Sequence, residues 1–100
     1  MKICYSLPIE TKDIVVSVVD DGEETLLLDI DFIRKENKRK IGVIIDAEYD
    51  RNGKCYTETL CSTDRSADLD GDFEFEFETD FGTYTVLIEF DPECYSVQIW

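Results

Sequence analysis

A chain of 100 residues with 43% hydrophobic content has the size of one domain with one core. Its formal net charge of −14 disfavours direct binding to nucleic acid or to an anionic membrane, because that affinity depends on Lys and Arg neutralising phosphates. The sequence has no histidine, which excludes Ser-His-Asp and Cys-His catalysis and His-ligated zinc. Such a charge favours a positively charged partner, since opposite charge speeds encounter.

Short apolar runs separated by turn residues predict an all-β fold, a single antiparallel meander of about seven or eight strands forming a small sandwich or a partly open barrel. The predicted strands lie near residues 2–7, 13–19, 25–33, 41–50, 54–62, 72–79, 83–90 and 95–100. Turn dipeptides fall between them, at Asp21-Gly22, Asn52-Gly53, Phe81-Gly82 and Asp91-Pro92. The Asn-Gly pair is typical of a type I′ hairpin turn.

The region around the first predicted strand contains no apolar run of signal-peptide length, and no stretch reaches the roughly 18 apolar residues of a membrane helix. We therefore expect a cytosolic protein with reduced cysteines. None of the four cysteines lies in a CxxC pair. Cys55 and Cys61 share one predicted strand at about 20 Å, too far for a disulfide. Cys4 and Cys94 remain a possible pair only if the two ends of the chain meet.

The connection between the third and fourth predicted strands, residues 34–40, carries five of the ten basic side chains. Its simplest interpretation is a solvated hairpin tip. Two functional alternatives are an anchor for an acidic patch on a partner and a head-to-tail contact with this protein's own acidic face.

Acidic residues cluster before the sixth strand, at Asp68, Asp70 and Asp72. Clustered carboxylates next to a glycine invite a calcium interpretation. The EF-hand template fits badly, because aligning Gly71 to its invariant glycine puts Phe77 where the bidentate Glu belongs, and no helices are predicted. We interpret the segment as a plain acidic loop and predict no metal site or cofactor, with a calcium-dependent binding module as an alternative.

The sixth strand has the clearest pattern, since residues 73–78 read FEFEFE and place three rings on one face and three carboxylates on the other. An even-numbered loop, Phe81-Gly82 or residues 80–83, keeps the apolar faces of the sixth and seventh strands together. The predicted pairs are Phe77 with Val86, Phe75 with Ile88 and Phe73 with Phe90, which set Glu89 opposite Glu74. A four-residue turn at 91–94 then pairs Phe90 with Tyr95, Ile88 with Val97 and Val86 with Ile99.

The opposite face of these three strands is the predicted partner-binding surface. Carboxylates two residues apart on a strand stand about 6.7 Å apart and repel by about 0.6 kcal/mol in water. An aliphatic and an indole side chain among such charges have the composition of a binding hot spot. The predicted partner-binding residues are Glu74, Glu76, Glu78, Leu87, Glu89 and Trp100 with the acids Asp68, Asp70, Asp72 and Asp80.

Two alternatives remain for this face. The glutamates are typical of residues that keep a phenylalanine-rich strand from aggregating. Leu87 and Trp100 are also compatible with a face covered by another sheet, or with an indole folded back onto the core.

The resulting hypothesis is a non-enzymatic inhibitor or immunity-type protein that covers a basic, nucleic-acid-handling protein surface. The expected partner is a toxin nuclease or a phage-defence effector, and an anti-CRISPR protein is one inhibitor of this kind. DNA mimicry is one mechanism by which such an inhibitor acts. We predict no catalytic residue, because no phosphate-cradling glycine loop is present and outward-pointing acids lack the pocket that raises a carboxyl pKa. The main alternative is a structural or assembly module that forms an oligomer through its C-terminal sheet face.

Overall fold

The computed structural model is all-β, with eight antiparallel strands in two four-stranded sheets. It describes the backbone of residues 2–35, 40–66, 71–90 and 93–100 and the side chains of residues 2–33, 41–62, 72–90 and 93–100. All eight predicted strands are confirmed, and the third and fifth extend beyond their predicted ends. The strands are β1 (Ile3–Pro8), β2 (Asp13–Asp20), β3 (Glu23–Lys35), β4 (Lys40–Arg51), β5 (Lys54–Ser66), β6 (Gly71–Thr79), β7 (Gly82–Phe90) and β8 (Cys94–Ile99).

The two sheets form a sandwich. Sheet A has the order β1-β8-β7-β6, and sheet B has the order β2-β3-β4-β5. Along the described residues β1 does not pair with β2, nor β5 with β6, so the meander is open at two seams where a barrel would close. The body is elongated, with extents of 44 × 21 × 18 Å.

Two tight turns set the hairpins of sheet B. Asp21 and Gly22 have φ of 52° and 79°, and Asn52 and Gly53 have φ of 55° and 72°. Positive φ at both central residues is the signature of the type I′ turn. The prediction from the Asn-Gly pair is thus confirmed.

The core lies between the sheets and consists of the inward-facing residues of both. Phe32 from sheet B stacks on Tyr95 from sheet A with ring centroids 4.8 Å apart. A polar contact crosses the core, where the buried Thr25 hydroxyl lies 2.8 Å from the Tyr84 hydroxyl. The Thr25 hydroxyl also donates to the carbonyl oxygen of Val18 at 3.2 Å. Thr25 lies at an irregularity of the β2–β3 register, so this bond satisfies the backbone where the ladder is interrupted.

The predicted register between β6 and β7 is wrong by two residues, although the predicted faces are correct. The observed pairs are Phe77 with Tyr84, Phe75 with Val86 and Phe73 with Ile88. Consequently Glu89 lies opposite Asp72, and Glu74 lies opposite Leu87. The turn consists of Asp80 and Phe81, with Thr79 opposite Gly82, and not of Phe81 and Gly82 or of residues 80–83 as predicted. It is held by the Thr79 hydroxyl, which donates to the Gly82 carbonyl at 2.8 Å and accepts from the Phe81 N–H at 3.1 Å.

The predicted register between β7 and β8 is confirmed in all three pairs, Phe90 with Tyr95, Ile88 with Val97 and Val86 with Ile99. The two ends of the chain do meet, because β1 pairs with β8. Cys4 lies opposite Gln98, however, and Cys94 lies opposite Pro8. Four residues along a strand correspond to about 13 Å, well beyond the roughly 7 Å that a disulfide allows. A Cys4–Cys94 bridge is therefore excluded, and all four cysteines are free.

Two predicted features lie wholly or partly outside the described residues. The β3–β4 pairing runs out to Lys35 opposite Lys40, which agrees with a hairpin, but the side chains of the basic segment 34–40 are not described. Asp68 and Asp70 are likewise outside the description. Within the described part of the chain, no helix is long and apolar enough to cross a membrane.

Asp80 ties one sheet to the other. Its two carboxylate oxygens accept hydrogen bonds from the backbone N–H groups of Asn52 at 2.7 Å and Gly53 at 2.9 Å. Its own N–H donates to the Asp50 carbonyl at 2.9 Å. The β6–β7 turn of sheet A is thereby fixed to the β4–β5 turn of sheet B. This acid, predicted as partner-binding, already has partners within the chain.

We predict that Asp80→Ala lowers the free energy of unfolding by about 1–3 kcal/mol, because two charge-assisted hydrogen bonds are lost. Glu78→Ala is the matched control, since it also removes one negative charge from the same strand end. We expect that control to be neutral or slightly stabilising. Urea unfolding at neutral pH measures both, and equal effects of the two substitutions would contradict the assignment.

Candidate functional site

The register of sheet A arranges its outer face into rows of side chains. Trp100 extends the ladder beyond β8, because its N–H and C=O exchange hydrogen bonds of 3.0 and 2.7 Å with Thr85. The rows, each read from β1 to β6, are Lys2, Trp100, Thr85 and Glu76; then Cys4, Gln98, Leu87 and Glu74; then Ser6, Ser96, Glu89 and Asp72. The last three strands thus present the face that the sequence predicts.

Negative charge on this face is confined to the β6 side. The acids are Asp72, Glu74, Glu76 and Glu78 on β6 and Glu89 on β7. Glu89 accepts a hydrogen bond of 2.9 Å from the Gln98 side-chain amide, a neutral donor that leaves its charge in place. The β1 side instead carries Lys2, so the face runs from an acidic edge to a weakly basic one.

Leu87 and Trp100 lie on this face as predicted. Trp100 is 44% exposed, and Leu87 is half-buried among its row neighbours. The indole does not fold back onto the core, and no other described element of the chain covers this face. The Lys2 ammonium lies 5.7 Å from the Trp100 ring centroid, which is cation–π range. Trp100 is thus a partly exposed aromatic group held from one side.

β6 is an edge strand of sheet A. Charged side chains on an edge strand prevent pairing with other chains. The position of Glu74, Glu76 and Glu78 is therefore fully compatible with the alternative in which they only protect the edge.

The outer face of sheet B carries a second, larger set of acids, which sequence analysis missed. Asp29 on β3 lies directly opposite Asp46 on β4, and Asp13 on β2 lies directly opposite Asp31 on β3. The described outward acids of this face are Asp13, Glu24, Asp29, Asp31, Asp46, Glu48 and Asp50. Among the residues of β2 to β5 whose side chains are described, none that faces outward is Lys or Arg.

The groups that contact these carboxylates are neutral. The Thr59 hydroxyl donates to Asp46 at 2.5 Å, and the Ser17 hydroxyl donates to Glu24. The Cys55 thiol lies 3.8 Å from Glu48. Desolvation and the charges of Glu48 and Asp50 raise the pKa of this thiol, which disfavours the reactive thiolate. Among the described side chains of this face, hydroxyl groups and a thiol contact the carboxylates, and no cation does.

Asp31 experiences this crowding most strongly. Its pKa is raised from the ordinary value by desolvation and then by the charges of Asp29, Asp13 and Asp46. Its half-buried position between β2 and β4 explains both effects. The surroundings of Asp31 therefore destabilise its ionised carboxylate relative to the protonated form.

Apolar side chains lie among these acids. Val15 is 65% exposed and lies opposite Asp29, and Leu27 and Ile44 are half-buried on the same face. A shallow depression is lined by Val15, Leu27, Asp29, Asp46, Glu48 and Thr57. An apolar floor with a carboxylate rim suits the stem and cationic head of a lysine or arginine side chain.

A sequence signal for this second face exists. Residues 28–32 read LDIDF and residues 45–50 read IDAEYD, an alternation of apolar and acidic residues as strict as that of β6. The pairing of β3 with β4 then brings both rows of acids to one surface. The predicted acid row on β6 is thus the smaller part of a charge that covers two faces.

Among the described side chains, no three His, Cys, Asp or Glu groups converge in a way that would hold a metal ion. Asp72 points outward from β6 opposite Glu89, and its predicted neighbours Asp68 and Asp70 are outside the description.

Comparison of the chain with protein-family models, with curated proteins and with solved structures found no match.

We predict that Asp31→Asn stabilises the protein at neutral pH by a few tenths of a kcal/mol, the size of a like-charge cross-strand contact. A carboxyl whose folded pKa is raised contributes stability below its ordinary pKa of 3.8, and this stability is lost as the pH rises through the folded pKa. The gain should therefore vanish in acid. Thermal unfolding between about pH 3 and 7 measures it.

Glu10→Gln, in the exposed turn after β1, is the control for loss of one charge. If Asp31→Asn were no more stabilising than this control at pH 7, or equally stabilising in acid, the crowding of Asp31 would be refuted.

Proposed function

We propose that this chain is a non-enzymatic, cytosolic binding protein that covers a basic, nucleic-acid-handling surface of another protein and so inhibits or protects against it. Its partner-binding surface comprises both acidic faces of the sandwich. The outer face of sheet A contributes Leu87 and Trp100 as anchors, and the outer face of sheet B contributes the denser charge.

The observation that carries this proposal is the pair Asp29 and Asp46. They face each other on β3 and β4, the two central strands of sheet B. Protection of a sheet edge does not account for charge at that position, because a central strand has no free edge. Directly opposed like charges destabilise a sheet by about 0.2–1 kcal/mol. We infer that these destabilising charges serve binding, and the simplest such role is to contact a cationic surface that neutralises them.

DNA mimicry is supported in a limited form. A duplex as long as the 44 Å body would carry about 26 phosphate charges. The formal charge of −14 is roughly half of that, and it is distributed over two faces of an elongated body. This charge favours a partner that binds duplex DNA or RNA through its backbone over one that reads individual bases.

The two kinds of residue have different roles in this mechanism. The acids accelerate encounter with a basic surface and make it salt-dependent. The partly exposed indole of Trp100 and the side chain of Leu87 supply apolar contact area that slows dissociation.

The test is an affinity pull-down from the native host with the full chain as bait, at about 0.05 and 0.5 M salt. We expect basic, nucleic-acid-handling proteins to bind at low salt and to be displaced by duplex DNA. Neutralising either face should weaken capture by about tenfold or more, equivalent to about 1.4 kcal/mol. The two variants are Glu74→Gln, Glu76→Gln and Glu78→Gln on sheet A, and Asp29→Asn, Asp31→Asn and Asp46→Asn on sheet B.

A matched control removes three charges at exposed turn and strand-end positions that belong to neither array, through Glu10→Gln, Asp21→Asn and Glu23→Gln. It should retain capture. Trp100→Ala should weaken capture without changing its salt dependence. A bound set that neither salt nor face substitution alters would refute the electrostatic mechanism, and failure of DNA to compete would refute occlusion of a nucleic-acid site.

A further inference from the structure

β2 is an edge strand of sheet B with an unpaired side. The hydrogen bond of 2.8 Å from the Phe32 N–H to the Lys12 carbonyl fixes the alternation of the β2–β3 ladder. In an antiparallel ladder, residues that bond to the partner alternate with residues that point away. The N–H and C=O groups of Asp13, Val15, Ser17 and Val19 therefore point to the free edge. The register shift at Val18 and Val19 skips Thr25 on β3, so the alternation on β2 is continuous.

This edge lacks the usual protection. Val15 is 65% and Val19 is 52% exposed, and residues 14–19 read IVVSVV with no charge and no proline. Strands of this composition at a free edge pair readily with other strands. The edge strand β6 of sheet A, by contrast, carries Glu74, Glu76 and Glu78. Of these two edge strands, β6 is charged and β2 is not.

We propose that β2 pairs antiparallel with β2 of a second copy of this chain, with Ser17 opposite Ser17. Val15 of each copy then lies opposite Val19 of the other, so the two-fold symmetry forms this valine pair twice and each exposed valine gains one partner. A shift of two residues would set Asp13 opposite Val19 and lose this match. The inward-facing Val16 and Val18 are already buried by their own core, so the outward valines decide the register.

The pairing joins two copies of sheet B into one eight-stranded sheet. The outer acidic faces of the two copies become continuous, and the charged array doubles in extent across the strands. Each copy carries a formal charge of −14, and an edge contact buries less than the roughly 1,200 Å² of a standard interface. The dimer is therefore weak and strengthened by salt. The pairing does not depend on the proposed function.

Sedimentation equilibrium of the full chain over a concentration series tests this. We expect the dissociation constant of the dimer to fall by about tenfold or more between about 0.01 and 1 M NaCl, as the Debye length falls from about 30 to 3 Å. Val15→Lys should abolish the dimer by placing a charge on the edge. Phe81→Lys, which makes the same change at a 45% exposed ring in the β6–β7 turn, should leave it intact. Thermal melts of both variants verify folding.

A disulfide crosslink tests the register of the β2–β2 pairing separately. Residues opposite each other in a hydrogen-bonded pair have Cα atoms about 5.5 Å apart, which suits a disulfide. The Ser17→Cys variant should therefore form a disulfide between the two copies at position 17, identified by peptide mass mapping against the four native cysteines. A chain that stays monomeric at every salt and concentration, or a dimer insensitive to Val15→Lys, overturns the proposal. A dimer without the crosslink overturns the register.

Discussion

Repulsion between facing carboxylates is the constraint on which the rest of this structure depends. Asp29 with Asp46 and Asp13 with Asp31 stand directly across strands of sheet B. Among the described positions of that face no cation separates them, and only hydroxyl and thiol groups contact the neighbouring acids. Desolvation, followed by the charges of Asp29, Asp13 and Asp46, raises the pKa of Asp31 on this face. Repulsion between these surface carboxylates therefore lowers the stability of the folded domain, and other interactions must offset it.

The hydrophobic core supplies the stability that the charged surface reduces. Buried aliphatic and aromatic side chains from both sheets form one cluster, and its burial is the main favourable contribution to folding. Two polar contacts fasten the sheets together: the Thr25–Tyr84 bond inside the core and the Asp80 carboxylate on the β4–β5 turn. Because the apolar side chains of the strands face this cluster and side chains alternate along a strand, the acids between them point outward on both sides. The sandwich core thus stabilises the fold against the repulsion between the acids and also leaves these acids on the two outer faces.

Local patterns predict most of this fold. Alternation of apolar and polar residues places all eight strands, and Asn52-Gly53 identifies its turn. Alternation has a period of two, so it assigns faces but is blind to a shift of two residues. That is why the predicted β6–β7 register is wrong: the Thr79 hydroxyl contacts that place the turn at Asp80-Phe81 leave no periodic signal.

The candidate site is only half predictable for a related reason. The acid row of β6 is visible within one strand, whereas opposition of Asp29 and Asp46 depends on which strands pair and in what register. Neither the split into two sheets nor the role of Asp80 as an inter-sheet contact follows from strand patterns alone, because both depend on contacts between distant parts of the chain.

A double-mutant cycle on Asp29 and Asp46 tests the central claim most directly. The free energies of unfolding of the wild type, Asp29→Asn, Asp46→Asn and the double variant are compared at low and high salt. We expect each single substitution to stabilise the free chain by about 0.2–1 kcal/mol, the double variant to gain less than the sum, and the coupling to shrink as salt screens it. Single substitutions that destabilise, or additive effects independent of salt, would contradict a repulsive pair retained for a cationic partner.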